Sequence, residues 1–182
     1  MKKNLPLAAA IGFLAFAWAE VALNGTFHWF ASSSMAPSSF HIIAPVWFVT
    51  WALFFATGAD NNAVVKGIAS SAVGAIAGYL VIALGPKISG APNFWGIALV
   101  LGVVCVGLVL AMGVVGDWYN VPVIFGGAAS VIFYWITTGL DGWATKATLS
   151  AGSVTLSVFV SLVCGTLLGL ASVRLSSLVK SA

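Results

Sequence analysis

The chain has 182 residues, of which 61% are hydrophobic and 6% are charged. Because soluble domains carry about 25% charged residues, this composition excludes a water-soluble globule, and the apolar content excludes a disordered chain. The net charge of +3 comes from seven basic and four acidic residues, which is too few basic groups for a nucleic-acid-binding surface.

Six long apolar runs follow one another with short breaks between them. A membrane-spanning helix needs about 20 predominantly apolar residues, so we predict an all-α membrane protein with six transmembrane helices in a single domain, residues 1–182. The predicted spans are residues 5–23, 42–57, 63–84, 94–113, 122–138 and 147–170. The breaks contain residues that end helices and form turns, as at Gly85-Pro86 and Gly116-Asp117.

The first run, from Leu5 to Leu23, follows two lysines and has a signal peptide as its alternative interpretation. We favour a membrane span, because the run is long for a signal peptide and no clear small-residue cleavage site follows it. Glu20 is the one acid in or near an apolar run. A carboxylate at the bilayer centre costs about 2.5–3.5 kcal/mol, so we expect Glu20 to face headgroups or protein, or to form a solute site at an outer vestibule.

The distribution of Lys and Arg predicts the orientation, because cytoplasmic loops of membrane proteins are enriched in both. With the N-terminus and the C-terminus in the cytoplasm, five basic residues lie inside and two lie outside. The inside set is Lys2, Lys3, Lys66, Arg174 and Lys180, and the outside set is Lys87 and Lys146. The opposite orientation reverses this count, so we expect both ends in the cytoplasm.

Spans two and five resemble each other. Pro45 opens the sequence Pro-Val-Trp-Phe, Pro122 opens Pro-Val-Ile-Phe, and similar Gly-x-Asp turns begin at Gly58 and Gly139. The two prolines are 77 residues apart and the two glycines 81 residues apart. With three spans per unit the second copy would be upside down in the membrane, the inverted 3+3 repeat common in transporters. Chance similarity between apolar segments is the alternative.

Aromatic residues cluster in spans two and five. Trp47, Trp51 and Phe55 recur at every fourth position and therefore share one helix face. Narrow pores for small, weakly polar solutes use aromatic rings together with a few hydroxyl groups. The pore-lining candidates are Trp47, Thr50, Trp51, Phe55, Tyr134, Trp135, Thr138 and Glu20. Lipid-facing rings and interfacial aromatic belts explain the same aromatic pattern.

Spans three and six carry small residues at every fourth position, which lets another helix backbone approach closely. The two ridges are Ser70, Gly74 and Gly78 in span three, and Ser161, Gly165 and Gly169 in span six. Helix packing inside one chain and an interface between subunits of a homo-oligomer both explain them.

The sequence contains no motif of a hydrolase, a nucleotide-binding enzyme or a metal site. Cys105 and Cys164 lie within apolar runs and far from either histidine, so we predict no metal and no cofactor. His28 and His41 flank the connection between spans one and two, where they are pH sensors or ordinary loop residues. Without an acid, base or metal set, we expect that the protein is not an enzyme.

The six short spans, the two Pro-Val-x-Phe openings and the Gly-x-Asp turns resemble a bacterial inner-membrane family, domain of unknown function 1097 (DUF1097), from about Leu5 to Val173. The resemblance implies an inner-membrane location and no particular activity. More distantly, the chain is similar in size and span number to the small amide and urea channels and the acetate channels, which form rings of subunits. Asn120-Val121-Pro122 is similar to the start of the acetate family's Asn-Pro-x-Pro-x-Gly signature, with Val at position 121 in place of the first proline.

These features favour a passive channel or facilitator for a small neutral or weakly acidic solute, because ion-coupled transporters usually keep a charged residue deep in the membrane. The expected partners are the lipid bilayer, a small-molecule solute and further copies of the chain. The alternative is a non-transporting scaffold or accessory subunit of a larger complex, which the glycine-rich ridges and apolar spans also fit.

Overall fold

The computed structural model describes residues 5–24, 43–89, 95–139 and 150–181, and all regular structure in those ranges is helical. The helices are α1 (Leu5–Asn24), α2 (Ala44–Ala56), α3 (Asn61–Ile88), α4 (Trp95–Ala111), α5 (Val121–Tyr134) and α6 (Ala151–Ser181). A π-helical turn, Trp135–Gly139, continues α5. The all-α prediction is confirmed, and the six helices lie on the six apolar runs.

Helix length divides the six helices into two classes. Asn61–Ile88 and Ala151–Leu178, each 28 residues, are long and apolar enough to cross a membrane. At 1.5 Å per residue each measures about 42 Å, against about 30 Å for the hydrocarbon of a bilayer. By the same rise, the 13 residues of α2 span only about 20 Å. Length and composition therefore indicate a membrane protein with two membrane-length helices, and six crossings stay a prediction.

A tight turn sets the start of α3. Gly58 and Ala59 both have positive φ, at 118° and 57°, and the turn reverses the chain between α2 and α3. The side chain of Asp60 then accepts a hydrogen bond from the backbone N–H of Ala63 at 2.7 Å. This is the N-cap interaction that supplies a partner for one of the free N–H groups of a helix start.

The break predicted at Gly85-Pro86 is wrong, because α3 continues through both residues to Ile88. Pro86 lies in the last turn of the helix, where its missing N–H removes one hydrogen bond and little helix remains beyond it. Gly85 serves instead as a packing point. A Cβ added to it would lie 2.7 Å from the Cα of Ile97, so α4 begins in close contact with the end of α3.

The two long helices pack against each other in opposite directions. A Cβ added to Gly67, near the start of α3, would lie 2.9 Å from Cγ2 of Thr166, in the second half of α6. Further along α3, Tyr79 borders the same cleft as Gly152, near the start of α6. The antiparallel α3–α6 pair forms the centre of the bundle, with α4 against α3 and α1 against α6.

The buried core is shared by the two long helices and the two short ones, α2 and α5. Its members are Val46, Ala75, Ile82, Val131, Tyr134, Trp135, Val154, Val158 and Leu162. By contrast, α4 exposes most of its apolar surface, with Val103 at 66% and Leu110 at 72% exposure. Apolar side chains exposed on this scale suit a helix whose outer face meets lipid.

Candidate functional site

The N-terminus of α5 lies beside Ser70, which is well inside α3. Asn120 donates its backbone N–H to Ser70 Oγ at 2.9 Å, and that hydroxyl donates to the carbonyl oxygen of Trp118 at 3.0 Å. The side-chain oxygen of Asn120 caps α5 by accepting from the N–H of Val123 at 3.2 Å. Pro122 occupies the first turn, where a helix needs no N–H donor.

The N-terminus of α2 has the same arrangement beside Ser161, well inside α6. Ile43 donates its backbone N–H to Ser161 Oγ at 2.7 Å, and the hydroxyl donates to a carbonyl of its own helix at 2.7 Å. Pro45 occupies the first turn of α2. Ile43 precedes Pro45 by two residues, as Asn120 precedes Pro122, so each serine meets the same position of a short helix.

Glycines continue this correspondence along the two helix pairs. A Cβ added to Gly74 of α3 would collide with the carbonyl oxygen of Ile124, the second residue after the proline of α5. A Cβ added to Gly165 of α6 would collide with the carbonyl oxygen of Trp47, the second residue after the proline of α2. Both contacts bring backbone against backbone, which only glycine permits.

A third contact follows four residues further along each long helix. A Cβ on Gly78 would lie 2.6 Å from the Cβ of Val131, and a Cβ on Gly169 would collide with the ring of Phe54. Val131 and Phe54 are each the ninth residue after the proline of their helix. The serine and both glycines of α3 thus recur in α6 after 91 residues, and the prolines recur after 77.

These contacts determine the direction of each short helix. Residue numbers rise together on both helices of a pair, from Ser70 to Gly78 and from Ser161 to Gly169, so α5 is parallel to α3 and α2 is parallel to α6. Because α3 and α6 are antiparallel, α2 and α5 are antiparallel too. The α3–α5 pair and the α6–α2 pair are therefore packed by equivalent contacts in opposite orientations.

Both predicted small-residue ridges lie inside the chain. Their six residues are buried, and the ridge surfaces contact α5 and α2. The helix-packing interpretation describes what these residues do in the monomer. Since α2 and α5 already cover the ridges, the same surface is not available to a second subunit.

Most of the predicted pore-lining residues of span two are enclosed by other helices. Trp47 has no exposed surface, and Thr50 is 1% exposed. The Thr50 hydroxyl donates to the carbonyl oxygen of Leu162 at 2.6 Å, which ties α2 to α6. Trp51 donates its indole N–H to Ser172 Oγ at 3.3 Å. These two hydrogen bonds engage the polar groups of Thr50 and Trp51.

The remaining candidates are spread over different parts of the molecule. Tyr134 and Trp135 belong to the buried core, and Phe55 is half-buried at a groove between α1 and α2. Glu20 is exposed on α1, and the side chain of Thr138 lies outside the described residues. The eight candidates therefore do not form one common surface in the described structure.

Sequence reasoning identified the ridges and the prolines but missed that they meet. A signal was available: the ridges recur after 91 residues and the prolines after 77, which fits a repeat whose second copy has 14 more residues between the proline and the ridge. The role of Ser70 and Ser161 as partners of helix N-termini could not be read from either interval, because it depends on which helix docks where.

Two buried polar groups lack a hydrogen-bond partner among the described residues, the indole N–H of Trp47 and the hydroxyl of Ser71. Each lies ten residues from the turn that joins α2 to α3, Trp47 before Thr57 and Ser71 after Asn61. An unsatisfied buried polar group costs about 1–3 kcal/mol. A buried water molecule commonly supplies the missing partner of such a group.

The described part of the chain holds no group of three His, Cys, Asp or Glu residues that could bind a metal. Cys105 and Cys164 are free thiols, and His28 and His41 lie outside the described residues. The clefts found in the described helices have apolar linings, and they include one of about 310 Å³ between α4 and α5 and one of about 190 Å³ between α1 and α2.

Comparison with known proteins gives a family and no characterised relative. A family described as "Protein of unknown function (DUF1097)" matches residues 8–177, nearly the whole chain. Neither the curated proteins nor the solved structures contain a match to the chain.

Proposed function

We propose that this chain, which belongs to the DUF1097 family, is a passive channel or facilitator for a small neutral or weakly acidic solute in the bacterial inner membrane. The observation that carries the proposal is the pair of short helices that begin beside Ser70 and Ser161, inside the length of α3 and α6.

The position of these helix starts is unusual for a bundle in lipid. Ser70 is about 14 Å from the start of α3 and about 27 Å from its end. A helix start in hydrocarbon leaves N–H groups that each cost several kcal/mol unless they find partners. Helices begin at membrane depth where protein surrounds them or where they border a hydrated path, and transporters place such half-helices at the solute site.

We interpret the equivalent contacts of the two halves as an inverted 3+3 repeat. The antiparallel arrangement of α2 and α5 and the matched docking at Ser70 and Ser161 support this interpretation. An inverted repeat has its two-fold axis in the membrane plane, and the solute path of such proteins follows the interface between the repeats. We propose that the path passes the N-termini of α2 and α5.

The chemistry of the bundle interior supports an uncharged solute. Every buried polar side chain recorded for the described residues is a serine or a threonine, including Ser70, Ser71 and Ser161. Among those residues no ionised side chain is buried, whereas ion-coupled transporters usually keep one deep in the membrane. Helix N-termini carry partial positive charge, which attracts the oxygen atom of an amide or an undissociated carboxylic acid.

The bundle also supports the proposed orientation. Because α3 and α6 are antiparallel, Lys66 near the start of α3 and Arg174 near the end of α6 lie at one end of the bundle, and Lys87 lies at the other. The end with more basic residues belongs in the cytoplasm. Both chain ends are cytoplasmic in this proposal, in which all six helices cross the bilayer.

The test is the swelling of liposomes that contain the purified protein, in a gradient of urea, acetamide, acetic acid or glycerol. We expect swelling in at least one of these solutes to be faster than in protein-free liposomes. Ordinary swelling rates in every amide, acid and polyol tested would contradict the channel proposal.

Matched serine variants connect this flux to the helix starts. Ser70→Ala and Ser161→Ala each remove the hydroxyl that meets the N-terminus of a short helix, and we expect both to change the flux or the preference among solutes. Ser176→Ala is the control, because that hydroxyl bonds only the carbonyl oxygen of Val173 in its own helix, at 2.8 Å. If Ser176→Ala changed the flux as much as Ser70→Ala and Ser161→Ala, this would contradict a solute path beside the helix starts.

A non-transporting membrane subunit is the second candidate, and one observation favours it. Trp47 and Trp135 are enclosed within the bundle rather than along an open path. Purification of the protein at native abundance distinguishes the two candidates. Stoichiometric recovery with an unrelated membrane complex, together with inactive liposomes, would favour the subunit.

A further inference from the structure

A cleft with a hydrocarbon lining separates α4 from α5. It has a volume of about 310 Å³, and α3 closes its inner side. Its lining includes Leu101, Cys105 and Leu108 of α4, and Phe125, Ala128 and Phe133 of α5. The Cys105 sulfur is the one atom among these six side chains that is not carbon, so the cleft offers water no good hydrogen-bond partner.

The first half of the chain has an equivalent groove between α1 and α2, of about 190 Å³. The residues of α2 that line it are Phe48, Trp51, Ala52 and Phe55. Residues 77 positions later line the α4–α5 cleft, and they are Phe125, Ala128, Ala129 and Ile132. The two cavities therefore lie at equivalent positions in the two halves of the molecule.

One substitution distinguishes the two cavities. Trp51 in the α1–α2 groove corresponds to Ala128 in the α4–α5 cleft. The indole of Trp51 reaches Ser172 of α6 with a hydrogen bond of 3.3 Å and thereby fills part of its groove. The residue of α3 that corresponds to Ser172 is Val81, which lies in the wall of the open cleft. The ring of Trp51 thus narrows one groove, and the alanine at the equivalent position leaves the other cleft larger.

We propose that the α4–α5 cleft binds one acyl chain of a membrane phospholipid. The cleft opens towards the outer surface, because Phe133 at its mouth is 66% exposed and Leu101 is 36% exposed. An apolar cleft without contents forfeits the dispersion contacts of its lining, and hydrocarbon is the solvent beside it in a bilayer. In the equivalent groove, the ring of Trp51 occupies part of the space that the acyl chain would take.

This proposal does not depend on solute transport, so its test does not measure flux. Native mass spectrometry of the protein in a mild detergent counts phospholipids that stay bound. Ala128→Trp places an indole ring in the cleft, as Trp51 does in the equivalent groove. We expect this variant to retain one phospholipid fewer than the natural chain. Leu110→Trp, on the outer face of α4 where Leu110 is 72% exposed, is the control and keeps that phospholipid.

The reverse change tests the other cavity. Trp51→Ala removes the ring that fills the α1–α2 groove, and we expect it to gain one bound phospholipid. Equal retention by the natural chain and Ala128→Trp would overturn the proposal. A change in the number of subunits without loss of lipid would also overturn it, because the cleft would then hold a second copy of the chain.

A second measurement uses the unaltered protein and does not depend on how the variants fold. A phospholipid with a photoreactive diazirine in its acyl chain is added to liposomes that contain the protein, and the labelled residues are mapped after illumination. We expect labelling of Cys105 and Phe125, in the cleft, to exceed labelling of Val109 and Leu110, which are exposed at 48% and 72%. Equal or stronger labelling of the exposed pair would overturn the proposal.

Discussion

Gly74 and Gly165 have no room for a methyl group, because the backbone of a neighbouring helix occupies the place of a Cβ. We expect Gly74→Ala and Gly165→Ala each to lower the free energy of unfolding by about 1–3 kcal/mol, the usual cost of overpacking. We expect the two variants to lose similar amounts of unfolding free energy, because the two glycines make equivalent contacts. Thermal or denaturant unfolding in detergent micelles measures both variants.

Gly102 is the control for the glycine variants, since nothing lies within 4 Å of the Cβ it would carry. Gly102→Ala is expected to be neutral or to stabilise α4 by up to about 1 kcal/mol, because alanine has the higher helix propensity. If Gly102→Ala were as harmful as Gly165→Ala, close packing would not be the cause of the loss.

Thr50 ties two helices together, whereas Thr137 bonds within its own segment. The Thr50 hydroxyl donates to Leu162 across the α2–α6 contact, and the Thr137 hydroxyl donates to Phe133 four residues earlier. We expect Thr50→Val to destabilise the protein by roughly 0.6 kcal/mol, the average of such bonds in membrane proteins. Thr137→Val should cost less, and an equal cost in unfolding experiments would contradict the inter-helix role.

At the scale of the helix, α5 begins where the hydroxyl of Ser70 meets the N–H of Asn120. Ser70→Ala leaves that N–H without its partner, which is expected to cost about 1–2 kcal/mol and to loosen the first turn of α5. Hydrogen exchange resolves the effect by position. Amide exchange should accelerate from Asn120 to Ile124 and remain unchanged near Gly165. Uniform acceleration would indicate global destabilisation rather than loss of a local partner.

Sequence patterns predicted where the helices are, because apolar runs and turn residues are local signals. The turn at Gly58 and the opening at Pro122 each coincide with a helix boundary. Gly85-Pro86 misled this reasoning, because the same residues also permit close helix contact near a helix end. The docking of α2 on α6 could not be predicted from local signals, since Ile43 and Ser161 are 118 residues apart.

The site was harder to predict than the fold for a related reason. Trp47 and Thr50 share a helix face, which the sequence shows, but the sequence does not say what that face meets. In the structure it meets α6, so the aromatic and hydroxyl groups that resemble a pore lining make helix contacts. Composition shows well whether a helix lies in lipid or in water. It shows poorly whether one face of that helix lines a pore or packs against another helix.

At the scale of the whole molecule, the antiparallel pairing of α3 and α6 places three basic residues at defined ends. In a chain without its native cysteines, Lys87→Cys should react with a membrane-impermeant maleimide added to intact cells. Lys66→Cys and Arg174→Cys should react only after the membrane is opened. Labelling of positions 66 and 174 from opposite sides would contradict the antiparallel pair, and labelling of both from outside would reverse the proposed orientation.

The exchange of short helices between the two halves has a consequence for biosynthesis. The helix that packs on Gly165 is α2, which is synthesised early, whereas Gly165 belongs to α6, which leaves the ribosome after the other five described helices. Until then α2 has no serine partner for its first N–H and no groove for its backbone. The newly inserted N-terminal half must therefore remain in the membrane without the contacts between α2 and α6. A ribosome stalled before residue 161 would keep α2 in this unpacked state.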